Sequence, residues 1–119
     1  MKIKTSELKG AALDWAVAKC EGVGVEYVDD EITQCLLQKP SGRYAPSTDW
    51  AQGGPIIERE SMHIDCLRQV DHYRTAVWEA WPYNTGTKHI QQGPTPLIAA
   101  MRCYVASKLG DVVNIPEGI

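Results

Sequence analysis

The chain has 119 residues, with 12 Lys and Arg against 15 Asp and Glu for a net charge of −3, and 44% of its residues are hydrophobic. This balance describes one folded domain over residues 1–119 and excludes a disordered chain. A pI near 5.5 argues against general nucleic-acid binding, and no apolar run approaches the ~20 residues that a membrane helix needs.

Lys2–Lys4 reads as a short edge strand, and its charges lead into no apolar stretch of the kind a signal peptide carries. Thr5 or Ser6 is then expected to cap a helix that runs to about Cys20 and ends at Gly22 or Gly24. Leu8, Ala11, Ala12, Trp15 and Ala16 follow the spacing of a buried stripe, with Lys9, Asp14 and Lys19 on the wet side. Gly10 falls inside that helix at a cost of about 1 kcal/mol relative to Ala. Gly22–Val28 alternates like a strand, Asp29-Asp30-Glu31 reads as a solvated acidic turn, and Ile32–Leu37 reads as a second strand.

Lys39–Arg43 is turn-forming, and Pro46 keeps Tyr44-Ala45 extended. Ser47 is placed to cap a single helical turn over Thr48–Gln52, which Gly53-Gly54-Pro55 should stop. From Ile56 the chain is expected to be extended, with alternation at Met62, Ile64 and Cys66. Leu67–Tyr73 reads as a connection, Thr75–Trp81 as a strand ended by Pro82–Gly86, and Thr87–Gly93 as a polar loop. The last helix is the clearest: Thr95 caps it, Pro96 occupies its first position, and Lys108-Leu109-Gly110 closes it. Leu97, Ala100, Met101, Tyr104 and Val105 form its buried stripe, with Arg102 and Ser107 towards the other side, and Asp111–Pro116 returns as a strand. The expected class is α+β: a two-layer domain with two main helices packed on a small, mostly antiparallel sheet.

Recognisable catalytic motifs are missing: no nucleophile elbow, phosphate-binding loop, dinucleotide fingerprint or metalloprotease helix. Glu58 and Glu60 would share one face of a strand, which reads as alternating surface charge around Arg59. His63, Cys66 and His72 make one tight ligand pair where structural zinc takes two, so neither metal nor cofactor is expected. Cys20, Cys35, Cys66 and Cys103 contain no C-x-x-C pair and read as reduced, mostly buried thiols.

The informative segment is Tyr44–Pro55. Tyr44 and Trp50 offer rings for stacking, Ser47, Thr48 and Asp49 offer hydrogen bonds, and Gly53 and Gly54 allow close backbone approach. A helix start there would present N–H groups to an anion, and Arg43 or Arg102 could supply positive charge for a phosphate. Those are the groups a nucleotide-like small molecule requires.

Met1–Leu8, Leu13–Ala18, Tyr44–Glu58 and Thr95–Gly110 resemble the NinX-like proteins of lambdoid phages, a group described as of unknown function, whereas Glu60–Gly93 departs most from that pattern. The resemblance implies a phage accessory protein acting in the cytoplasm of an infected bacterial host. Together with Tyr44–Pro55, it leads to the expectation of a non-catalytic homo-oligomer that sequesters a nucleotide-type host signalling molecule and counters antiphage defence. Another reading is an interaction protein that masks a host or phage protein through a Trp/Tyr surface patch. A third is a nucleotide hydrolase, for which Asp49, Glu58 and Glu60 would have to converge.

Overall fold

The computed structural model describes residues 1–29, 34–38, 42–68, 77–83 and 89–119. In chain order these form β1 (Lys2–Lys4), a 3-10 turn (Thr5–Glu7), α1 (Gly10–Glu21), β2 (Glu26–Asp29), β3 (Gln34–Gln38) and β4 (Gly42–Tyr44). There follow α2 (Trp50–Arg59), β5 (His63–Arg68), β6 (Val77–Trp81), β7 (Gln91–Gly93), α3 (Pro96–Leu109) and β8 (Val112–Asn114). The expectations for Asp30-Glu31, the start of the second strand, Lys39–Ser41, Gln69–Ala76 with His72, and Asn84–Lys88 lie outside the described residues.

The α+β class holds, with three helices and three small antiparallel sheets in place of two helices on one sheet. The sheets are β1–β8, β2–β3–β4 and β5–β6–β7. Helix α3 sits between them. Leu97, Ala99, Ala100, Met101, Cys103, Tyr104, Val105 and Ala106 are all buried, so the expected stripe widens to most of the helix circumference. One side packs on β5–β7 and the other on α1 and α2. A helix covered on several sides must be apolar all round, as this one nearly is.

The β1–β8 pair ties the two ends of the chain together, with Ile3 opposite Val113. Thr5 caps no helix: it is buried, its amide donates to Asp111 O at 2.8 Å, and its hydroxyl donates to Gly110 O at 2.6 Å. It closes the end of α3 instead of opening α1. Helix α1 therefore begins later than expected, at Gly10, whose φ of +57° suits a residue without Cβ. Gly22 ends α1 in the left-handed conformation as expected.

The largest departure is α2. It runs through Gly53-Gly54-Pro55 as ten continuous residues, so Ile56 and Glu58 are helical, not extended. Asp49, not Ser47, is its cap: Asp49 Oδ1 accepts from the Ala51 amide at 3.0 Å, and Gln52 Nε2 donates back to Asp49 Oδ2 at 3.0 Å. This is a side-chain pairing and not a capping box, because the Asp49 amide donates to Ala45 O and the Gln52 side-chain carbonyl oxygen is taken by the Ala45 amide. The helix survives Pro55 because the residue before it, Gly54, has no Cβ to crowd the ring. Gly53 and Ile56 turn inward. A further correction concerns Gln91–Gly93, which pairs with β6 as β7 instead of forming loop, and Leu67, which lies within β5.

The carboxyl ends of the three helices meet at one polar junction. Arg59 donates to both oxygens of Glu21, at 3.0 and 2.7 Å, and to the Tyr104 hydroxyl at 3.2 Å. Tyr104 in turn donates to Glu21 Oε2 at 2.5 Å. Arg59 holds the Glu21 carboxyl below the usual glutamate range despite partial burial. Arg59 and Lys108 also bind Glu60, so Glu60 belongs to this junction and not to a strand face shared with Glu58.

Space around α2 makes an unequal prediction for its two glycines. A Cβ on Gly53 would lie 2.5 Å from Leu97 Cδ1 and closer still to the Pro46 carbonyl, whereas one on Gly54 would meet only Trp50, at 3.9 Å. Gly53→Ala should lose about 1–3 kcal/mol through overpacking. Gly54→Ala should be neutral or gain about 0.5–1 kcal/mol from helix propensity. Urea unfolding of the two variants beside the parent checks both signs.

Candidate functional site

The Tyr44–Pro55 segment is held to the body of the protein by its own polar groups. Ser47 is fully buried, and its amide donates to Asp14 Oδ1 at 2.8 Å. Asp14 is thus not on the wet side of α1: it is buried and receives the turn that leads into α2. Burial pushes its carboxyl up to about 6, against the opposing pull of the Ser47 amide and the positive charge of Arg43. Gln52 completes the attachment, accepting from the Ala45 amide at 2.9 Å and donating to Arg43 O at 2.9 Å.

These bonds decide which expected site residues remain available. Asp49 occupies the first turn of α2 with its own carboxylate, so that helix start is already capped by an anion from within the chain. Ser47 is enclosed against Asp14 and is closed to a ligand. Tyr44 is also buried, packing with Ala18 and Leu36, and its hydroxyl is pushed up to about 12 by that burial. Gly53 serves helix packing, whereas half-buried Gly54 lies beside the Trp50 ring. Trp50, by contrast, is 54% exposed, so its ring is not a core anchor. Thr48 and Arg43 are exposed too, and among the described residues the Arg43 guanidinium makes neither a hydrogen bond nor an ion pair.

Arg43, Tyr44 and Thr48 line a hollow of about 80 Å³ with Asp14 and the start of α1 at Gly10-Ala11. Gly10, Ala11 and Gln34 also border a neighbouring hollow of about 410 Å³ that brings in Lys9, Tyr27 and Asp29. On the other side, Arg43, Tyr44 and Gln52 border a third, of about 320 Å³, with Glu21, Gln38 and Ile56. Sequence reasoning missed Lys9, Gly10 and Asp14 as neighbours of this segment, because nothing local links residues some 30 positions apart. Arg102 stands elsewhere, in a cleft of about 540 Å³ that contains none of the Tyr44–Pro55 residues.

Chemically, the segment combines an exposed indole, a guanidinium unpaired among the described residues and a threonine hydroxyl beside small hollows. Among the described residues no three His, Cys, Asp or Glu side chains converge in a way that could hold a metal ion. Asp49, Glu58 and Glu60 are dispersed over the cap, the outer side and the end of α2, with Asp49 and Glu60 engaged within the chain. The Cys20 and Cys103 thiols are pushed up by burial, to about 11 and about 12 respectively, which suits packing and not nucleophilic chemistry.

The family model described as bacteriophage P22 NinX matches residues 4–108. The chain belongs to that family. No curated protein matches it. The NinX match runs through β4, α2 and α3, and therefore covers the Tyr44–Pro55 segment and Arg102 alike. NinX membership is consistent with a phage accessory protein, and among the described residues no helix is long and apolar enough to cross a membrane.

Asp14 gives the NinX-family fold a specific pH signature. Its folded-state value, about 6, lies above the ordinary 3.8, so between those limits the folded state holds the proton more tightly than the unfolded chain. Its contribution to stability therefore falls as pH rises from about 4 to about 6, by on the order of 2–3 kcal/mol, and levels off above. Asp14→Asn keeps an acceptor for the Ser47 amide and removes the titration. The stability of the variant relative to the parent should rise across that window, as read by urea unfolding at a series of pH values.

Proposed function

We propose that this NinX-family protein captures a nucleotide-type signalling molecule of the bacterial host without chemically altering it, and thereby blunts an antiphage response. The observation that carries this reading is Trp50, an indole 54% exposed on the first turn of α2 and near the exposed Arg43 and Thr48 in sequence. A large exposed ring stacks well on a base, a guanidinium pairs with phosphate, and a hydroxyl reads a sugar or base edge. Tyr44, Ser47 and Gly53 are buried, Asp49 caps the helix that carries Trp50, and Gly54 lies beside its ring. Of the hollows along this surface, that of about 80 Å³ is far below the ~300–1,000 Å³ of enclosed ligand sites and those of about 320 and 410 Å³ only reach its low end, so a second copy of the chain closing over the ligand completes the pocket. That makes the working form a homo-oligomer in the host cytoplasm.

A thermal-shift screen against mononucleotides, cyclic di- and trinucleotides and ADP-ribose derivatives tests the reading. A ligand at ~100 times its Kd stabilises the fold by about 2.7 kcal/mol, a rise of several degrees. Trp50→Ala should abolish that rise while leaving ligand-free stability within about 0.5 kcal/mol, as befits an exposed side chain. Recovery of the ligand unchanged by mass spectrometry separates capture from hydrolysis. If no member of the panel moves the transition, nucleotide capture is wrong.

A second reading, the masking of a protein partner, rests on a different surface. His63 stacks on Trp81 (centroids 5.4 Å apart, planes within 5°) and on Tyr83 (6.1 Å, 13°), and Tyr83 is 65% exposed. An exposed aromatic stack is the kind of anchor that dominates protein interfaces. Under this reading, Tyr83→Ala should weaken a partner recovered from host lysate at least tenfold and Trp50→Ala should not, as measured by biolayer interferometry.

A further inference from the structure

Arg102 presents a different problem from Arg43. It is half-buried on α3, and among the described residues no carboxylate pairs with it. Its guanidinium is held instead by two backbone carbonyls: Nε donates to Leu8 O and Nη1 to Gln92 O, each at 2.8 Å. These bonds tie α3 to the end of the 3-10 turn and to β7. They do not neutralise the charge. A guanidinium carries five N–H donors, so three remain after the two carbonyls are served. Burial alone acts on the charged form here, lowering the Arg102 pKa with no opposing acid to raise it.

The same side chain lines the cleft of about 540 Å³, a volume within the range of small-molecule sites. Its walls supply what an anion with an organic body would meet. Ser6 is an exposed hydroxyl donor, and Val77, Ile90 and Pro94 provide apolar surface. Gln91 and Gln92 add side-chain amides to the wall. A fixed guanidinium with no carboxylate beside it among the described residues thus borders one cavity with a hydroxyl, amides and apolar surface.

We propose that the Arg102 cleft binds a small oxyanion-bearing molecule, with its phosphate or carboxylate on the free N–H groups of Arg102 and its body against Val77, Ile90 and Pro94. This site is independent of the Trp50 surface, which shares no lining residue with the cleft.

The test uses the full chain labelled with ¹⁵N, titrated with pyrophosphate in one arm and malonate in the other. The Arg102 Nε–H resonance and the side-chain amides of Gln91 and Gln92 are followed. Saturable shifts at these positions support the site, and the arm giving the tighter fit separates phosphate from carboxylate. Ser6→Asp places a carboxylate at the exposed wall of the cleft without touching the Arg102 hydrogen bonds. It should weaken the probe at least tenfold, and Trp50→Ala should leave the titration unchanged. If neither anion moves the Arg102 Nε–H, or if Ser6→Asp leaves the fitted Kd unaltered, Arg102 is a structural clamp only and the proposal fails. Either result is independent of the nucleotide screen, whose readout depends on Trp50.

Discussion

Tyr104 is where the three helices are made to agree. Its ring is buried on α3, and a buried hydroxyl must find a partner or cost the fold free energy. The partner is Glu21 at the end of α1, and that carboxylate in turn needs the cation that Arg59 brings at the end of α2. Each helix thus supplies one member of a closed set: a hydroxyl, a carboxylate and a guanidinium. Cations also lie over the ring, with Arg59 5.7 Å and Lys108 5.9 Å from its centroid. Surface ion pairs are usually worth little, and Arg59 is half-exposed. This one matters because its acceptor is shared with a buried group.

Fixing the far end of α2 also fixes where its near end points. The helix leaves the junction, passes Leu97 at the narrow contact permitted by Gly53, and begins at Asp49 beside α1. There Asp14 takes the Ser47 amide at the cost of burying a carboxylate. The cap, the turn and the glutamine stitch use up most polar groups that the sequence seemed to offer a ligand. What remains outside is Thr48, Trp50 and the guanidinium of Arg43. The candidate surface is therefore a residue of the folding problem: the groups left after the backbone has been satisfied.

The two arginines singled out for a phosphate illustrate the same economy. Arg43 lies at the surface, and among the described residues nothing bonds to its guanidinium. Arg102 has spent two donors on backbone carbonyls and retains its charge inside a cleft. One is an exposed counter-charge in a region of high dielectric, and the other is a pre-oriented charge where pairing is worth more.

Much of this was legible in the chain itself. The cap, first-position proline and closing glycine of α3 are local signals, each satisfied by atoms within a few residues, and all three appear where expected. So do the Gly22 stop of α1 and the alternation of β5, because strand and helix periods are properties of neighbouring side chains. The α+β class follows from those elements. Tertiary structure decided the rest. Gly53-Gly54-Pro55 reads as a stop, yet packing of Gly53 and Ile56 against the core and the Asp49 cap carry the helix through it. Asp14 reads as a surface residue until a turn 33 positions away supplies an amide for it. Ser47 reads as the cap, but it is buried with its amide on Asp14, and Asp49 takes the role. Sequence determined which segments could be helix or strand, because those choices are settled over a few residues. Which polar groups stayed free was decided by partners distant along the chain, because a buried donor or acceptor accepts the nearest complement in space, whatever its position in sequence.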